Sequence, residues 1–124
     1  MKTTWPKLPT DFKDKWVEAL ESGKYKKVKQ VLFEIDNSGE KCYCSLGVAA
    51  SICKVPDKYI QFMSVIDKEW ATKKDVPIIL TGRCEKNNLV AHFIKLNDGY
   101  VDSGCKIHKP RTFKQIAQFI RKNL

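Results

Sequence analysis

The segment KCYCSLGVAASICK, residues 41–54, concentrates the residue types that could do chemistry. Cys42 and Cys44 stand two apart, Ser45 follows, and a short apolar run ends at Cys53. Sulfur in such a stretch has three uses. It can ligate a metal, act as a nucleophile once deprotonated, or fill a core as a small apolar group. A zinc site would recruit Cys42, Cys44, Cys105 and His108. Zinc needs four convergent ligands, and Cys105-x-x-His108 has usable spacing, but Cys42-x-Cys44 is not the usual Cys-x-x-Cys knuckle.

A nucleophilic site would use Cys44 at a helix N-terminus, where the dipole lowers a thiol pKa. His92 would serve as base and Asp102 would orient it, in the Cys–His–Asp order of papain-like hydrolases. That arrangement needs His92 on a strand. The segment NNLVAHFIKLNDGY fits a buried strand and a helix equally well from its apolar positions alone. Packing is the simpler use of Cys44 and Cys53. On that reading there is no catalytic residue, metal or cofactor, and the hydrolase stands as the alternative.

The second chemical feature is charge. The chain carries 23 basic and 14 acidic residues among 124, a net charge of +9. Such an excess favours an anionic partner: nucleic acid, a nucleotide or an acidic protein surface. Lys24, Lys26, Lys27 and Lys29 surround Tyr25, and Lys106, Lys109, Arg111 and Lys114 form a second cluster. An aromatic ring within a basic run can stack a base while lysines hold phosphate. Tyr25 could equally pack back on Trp16, and the lysines could be a solvated face. Asp98, in Asn97-Asp98-Gly99, is either a polar ligand-site residue or part of a turn in which Gly99 supplies a positive φ. No established nucleic-acid motif is present.

The elements that must position these residues follow from periodicity and punctuation. After an arm with Pro6 and Pro9, residues 11–22 predict a helix. It carries Phe12, Trp16, Val17 and Leu20 on one stripe, with Thr10 or Asp11 as cap and Gly23 as stop. Residues 28–44 predict a hairpin turning at Asn37-Ser38-Gly39. Ser45 is placed to cap a helix over 45–54 with Leu46, Ala49, Ala50 and Cys53 as its apolar stripe, and Gly47 would allow close approach to a neighbouring element. Across 57–84, Trp70 is expected to anchor a local cluster, with a short helix opened by Pro77, capped by Asp75 and closed by Gly82. Thr112-x-x-Gln115 is a capping box for a helix over 112–123 with Phe113, Ile116, Ala117, Ile120 and Leu124 as its stripe.

Several of these pieces together resemble a family of small bacteriophage and prophage proteins. The matching residues are Trp16, Ala19, Leu20, Ser22, Gly23 and Tyr25, then Cys44, Leu46, Gly47 and Val48, then Leu96, Asn97, Asp98, Phe113, Ile116 and Ala117. Both ends of the chain match, and residues 57–85 match poorly. Ser45 stands where that family usually has a second cysteine, and YVDSGCKIHKPR is an insertion before the last helix. The resemblance implies a phage setting, no particular reaction, and a helix over 88–97.

The expectation is one α+β domain, a small antiparallel sheet packed against three or more helices. The opening lacks the apolar run of a signal peptide and no stretch reaches the roughly 20 apolar residues of a membrane span. A cytoplasmic location with reduced thiols is expected, inside the bacterial host if the chain is phage-encoded. The expected role is an accessory binding protein, with counter-defence as its use. An inhibitor that docks apolar residues near Trp5 or Trp70 on a protein is the third option.

Overall fold

The computed structural model describes residues 5–61, 63, 65–81 and 89–124. Among the described residues the fold is α+β: five α-helices, a three-stranded sheet and a two-stranded hairpin. In chain order the elements are α1 (Thr10–Glu21), β1 (Lys26–Lys27), β2 (Phe33–Ile35), β3 (Lys41–Tyr43), α2 (Ser45–Ile52), α3 (Lys68–Lys73), α4 (Leu89–Asp98), β4 (Tyr100–Val101), β5 (Ile107–His108) and α5 (Phe113–Asn123). Short 3-10 turns lie at Asp57–Tyr59 and Ile78–Leu80. Among the described residues no helix is long and apolar enough to cross a membrane.

Trp16 sits at the centre of the core, fully buried, with its ring 4.9 Å from Phe93 and its indole N–H donating to Ser45 O at 2.9 Å. A buried tryptophan needs such a partner for its one polar group. Val17 and Leu20 complete the buried side of α1, as the spacing predicts. The helix starts after Pro9 with no side-chain cap, so neither Thr10 nor Asp11 has that role. Gly23, at φ +76°, ends it in the left-handed conformation expected of a stop. In α5, Thr112 and Gln115 form the capping box in both directions, and Ile116, Ala117, Ile120 and Leu124 are buried.

The expected hairpin is shorter than its residue types suggest, and the sheet is mixed. β2 and β3 pair antiparallel, with Phe33 opposite Tyr43 and Ile35 opposite Lys41. Residues 28–32 leave the strand because Gln30 takes φ +73°, a conformation incompatible with a ladder. β1 supplies the third strand and runs parallel to β3, so the order is β1-β3-β2.

α2 is buried on nearly every side. Ser45, Leu46, Gly47, Val48, Ala49 and Ala50 are all inaccessible, while Cys53, expected in the core, is half-buried at the helix end. Gly47 explains how the helix fits: a Cβ there would stand 1.9 Å from Leu32 O. The expectation of close approach is met against the backbone of residue 32.

The middle of the chain differs most from expectation. α3 is capped by Asp67, which accepts from the N–H groups of Glu69 and Trp70. Asp75 caps nothing and takes φ +57°, and Pro77 opens a single 3-10 turn without a side-chain cap. Gly82 lies outside the described residues. Trp70 does anchor a local cluster, with its ring 4.0 Å from Tyr59. Residues 89–98 are helix, which settles the open choice there.

Candidate functional site

Cys42 and Cys44 are buried in the fold. Cys44, not Ser45, is the N-cap of α2, its thiol accepting from Gly47 N–H at 3.3 Å. Those backbone donors favour a thiolate, but desolvation outweighs them and pushes the pKa up to about 11. Cys42 is buried and also pushed up, first by burial and then by the charge of Asp36. Its thiol points at Asp36 and at Glu40 O. Cys105 occupies an exposed turn at φ +61°. The zinc candidates therefore do not converge, and among the described residues no group of three or more His, Cys, Asp and Glu could hold a metal.

The Cys44–His92–Asp102 arrangement is not assembled. His92 lies on α4, half-buried, with its ring 4.9 Å from Trp5 and 4.7 Å from Phe119. Burial and, secondarily, Lys95 lower its pKa. Asp102 sits in the β4–β5 turn and pairs with a different histidine, His108, at 2.9 Å. Its other oxygen accepts from Gly104 N–H at 2.9 Å and Lys106 N–H at 3.0 Å. The carboxylate is held below its usual range by His108 first and then by Lys106 N–H. A loop-building carboxylate satisfied this way has no role toward Cys44.

Asp98 is hydrogen-bonded into the fold. Both its oxygens accept from Gln30 N–H at 3.2 Å, and one accepts from the Asn97 amide at 2.8 Å. It borders a cleft of about 260 Å³ together with Cys44, Leu46, Phe93 and Ile94. Gly99 follows at φ +80°, as a helix stop should.

The first basic cluster is partly consumed by the fold. Lys26 bridges Asp36 at 2.7 Å and Glu40 at 3.2 Å, which raises its pKa and lowers that of Asp36. Lys27 donates to Arg111 O at 2.6 Å, and desolvation lowers its pKa, followed by repulsion from Lys29. Tyr25 packs edge-on against Tyr43 at 5.1 Å, not on Trp16. Lys24 and Lys29 are exposed.

Of the second cluster, Lys109 and Arg111 converge on one pocket, which Lys106 and Lys114 do not line. Gly99 lets the β4–β5 hairpin fold back on the end of α4, since a Cβ there would meet His108 O at 2.7 Å. Arg111 N–H donates to Leu96 O at 2.7 Å and fixes the strand exit against the same helix. Between them lies a pocket of about 260 Å³ lined by His92, Lys95, Leu96, Tyr100, His108, Lys109 and Arg111. The Tyr100 and His108 rings stack at 4.2 Å with an interplanar angle of 2°. Lys95 Nζ lies 5.1 Å from the Tyr100 ring centre, a cation–π contact. Among the described residues the lining includes three full cations and no carboxylate.

Lys109 and Arg111 are legible from charge. Lys95, Tyr100 and His108 do not stand out as partners in the sequence, because they lie on elements that meet only after the chain reverses at Gly99. Comparison with protein-family models, with curated proteins and with solved structures returns no match.

Proposed function

We propose that this chain is a small phage-type accessory binding protein whose partner is a nucleic acid or a nucleotide, held at the basic pocket between α4 and the β4–β5 hairpin. The observation that carries this reading is the convergence of Lys95, Lys109 and Arg111 around the stacked Tyr100–His108 pair. Cations hold phosphate, and aromatic faces and guanidinium planes suit bases and sugars. An acidic host-protein surface would ask for a broad basic face, whereas these cations line a concavity. The resemblance to phage proteins supports action in the bacterial cytoplasm, with counter-defence as the use. No reaction is proposed: the buried Cys44 thiol at the start of α2 has its pKa raised, not lowered.

The test is binding to single-stranded DNA and RNA across a salt series. Affinity should fall steeply with salt, because each neutralised phosphate releases counterions. Replacing Lys95 and Lys109 together by glutamate should weaken binding and flatten the salt slope by more than one unit, at about 0.7 for each phosphate no longer neutralised. Lys26→Ala is the control. It removes a cation already paired with Asp36 and Glu40 and should leave binding nearly unchanged. No strand binding at low salt removes nucleic acid as the partner and leaves the nucleotide to direct titration, and equal binding by the double variant rejects this pocket as the site.

A further inference from the structure

The pocket is small for a polymer site. At about 260 Å³ it falls below the roughly 300–1,000 Å³ of typical ligand pockets. α4 forms one wall, through Lys95 and Leu96, and the hairpin forms another, through Tyr100 and His108. A concavity of this size takes the end of a chain or one small unit.

Charge points the same way. An internal phosphodiester carries one negative charge. A phosphomonoester carries about −1.5 to −2 near neutral pH and offers three acceptor oxygens. Among the described residues, three cations without a lining carboxylate exceed what one diester needs and match a dianion with several acceptors. Arg111 brings a planar fork able to hold two oxygens, and Lys95 and Lys109 bring point charges.

The aromatic wall is built rather than incidental. Asp102 holds His108 at 2.9 Å, which keeps its ring flat against Tyr100. The same carboxylate is satisfied by loop N–H groups, so it braces the wall from behind.

Resting on the reading of this pocket as a phosphate site, we infer that it recognises a phosphomonoester: the terminal phosphate of a strand or that of a free nucleoside monophosphate. Calorimetric titration with one short single strand in three forms tests this. The forms carry hydroxyls at both ends, a 5′-phosphate or a 3′-phosphate, and a nucleoside monophosphate and its parent nucleoside are titrated alongside.

A terminal phosphate should tighten binding on the order of tenfold, the gain of one or two charge-assisted hydrogen bonds. Arg111→Gln should remove that gain, and its side chain is exposed, so the fold should tolerate the change. A monophosphate that binds as tightly as the phosphorylated strand identifies the free nucleotide as the source. A tighter phosphorylated strand identifies the terminus. Equal affinity for all three strands, with no monophosphate binding, overturns the inference and leaves polyanion binding standing. A gain that survives Arg111→Gln also overturns it, since the phosphate then sits elsewhere. No binding of any form removes the underlying reading as well.

Discussion

Asn97, in the last turn of α4, accepts the backbone N–H of Ser45, the first residue of α2, at 3.1 Å. The same side chain donates to Val28 O at 2.8 Å and to Asp98 at 2.8 Å. One buried amide thus fastens two helices and the loop after β1. An amide suits the task because it has both donors and an acceptor. The clamp also fixes the end of α4, two residues from Lys95, and so sets where the basic pocket forms.

Asn97→Leu should be strongly destabilising. Asn97 is only 2% exposed, and leucine of similar size would leave Ser45 N–H and Val28 C=O without it. Each orphaned buried group costs about 1–3 kcal/mol. Urea unfolding should show a lower midpoint with an unchanged slope. A loss below about 1 kcal/mol would mean that water replaces both bonds.

Gly47→Ala should cost more stability than Gly39→Ala. At Gly47 the new Cβ would stand 1.9 Å from Leu32 O, so backbone must move in a filled core. Overpacking of this kind costs typically about 1–3 kcal/mol and occasionally more. Gly39 has φ +83° but open space around it, so its cost is limited to left-handed strain of about 1–2 kcal/mol. Thermal melts of the two variants side by side decide this, and equal losses would contradict the close packing.

The helices with complete local signals are legible in the sequence. α5 has its capping box and stripe written in neighbouring residues, and α1 has its stripe and glycine stop. Other features depend on contacts that residue types do not encode. Val28 and Val31 read as strand formers, but Gln30 is turned to φ +73°, where its N–H meets Asp98. Sulfur is an uncommon cap, so residue type favours Ser45 over Cys44 at the start of α2. Asp102 has two histidines within reach on paper, and the one across its own turn captures it, because β4 and β5 place Tyr100 opposite His108. α3 spans only six residues and rests on Asp67 and on packing. The pocket is half visible in the sequence: its charges stand out, while its stacked rings become partners only in the folded chain.

Ser45→Ala should stabilise the protein by about 1 kcal/mol. Ser45 is fully buried, and among the described residues its hydroxyl has no hydrogen-bond partner. Removing an unpaired buried polar atom lifts a desolvation cost, and alanine also favours helix. The backbone N–H that meets Asn97 is untouched. A lower denaturation midpoint for this variant would show that the hydroxyl is in fact satisfied.

Stability should decline as pH falls from 7 toward 5, in part through His92. Burial between Trp5 and Phe119 lowers its pKa from the ordinary value of 6.5, with Lys95 adding to the effect. The unfolded chain therefore binds this proton more readily than the fold does. The contribution is complete above about 6.5, falls as pH drops below it, and levels off beneath the folded-state value. His92→Phe keeps the aromatic packing and removes the titration. The difference between wild type and variant should grow on acidification across that window. A difference that stays constant with pH would show that His92 accepts a proton without cost.

Cys44 should resist thiol reagents in the native protein while Cys105 reacts. Cys44 is buried, with a pKa pushed up to about 11, whereas Cys105 lies exposed in the β4–β5 turn. Near neutral pH little of Cys44 is then thiolate, and only the thiolate attacks. Its access is blocked as well, so modification should await unfolding. Alkylation followed by peptide mass spectrometry, in buffer and in denaturant, reads each site separately. The native sample should carry label at Cys105 and almost none at Cys44, and denaturant should bring Cys44 up to the level of Cys105. Rapid native labelling at Cys44 would mean that the cleft beside α2 opens and that the thiol is activated. That single outcome would return the hydrolase reading to consideration, with a base other than His92 to be found.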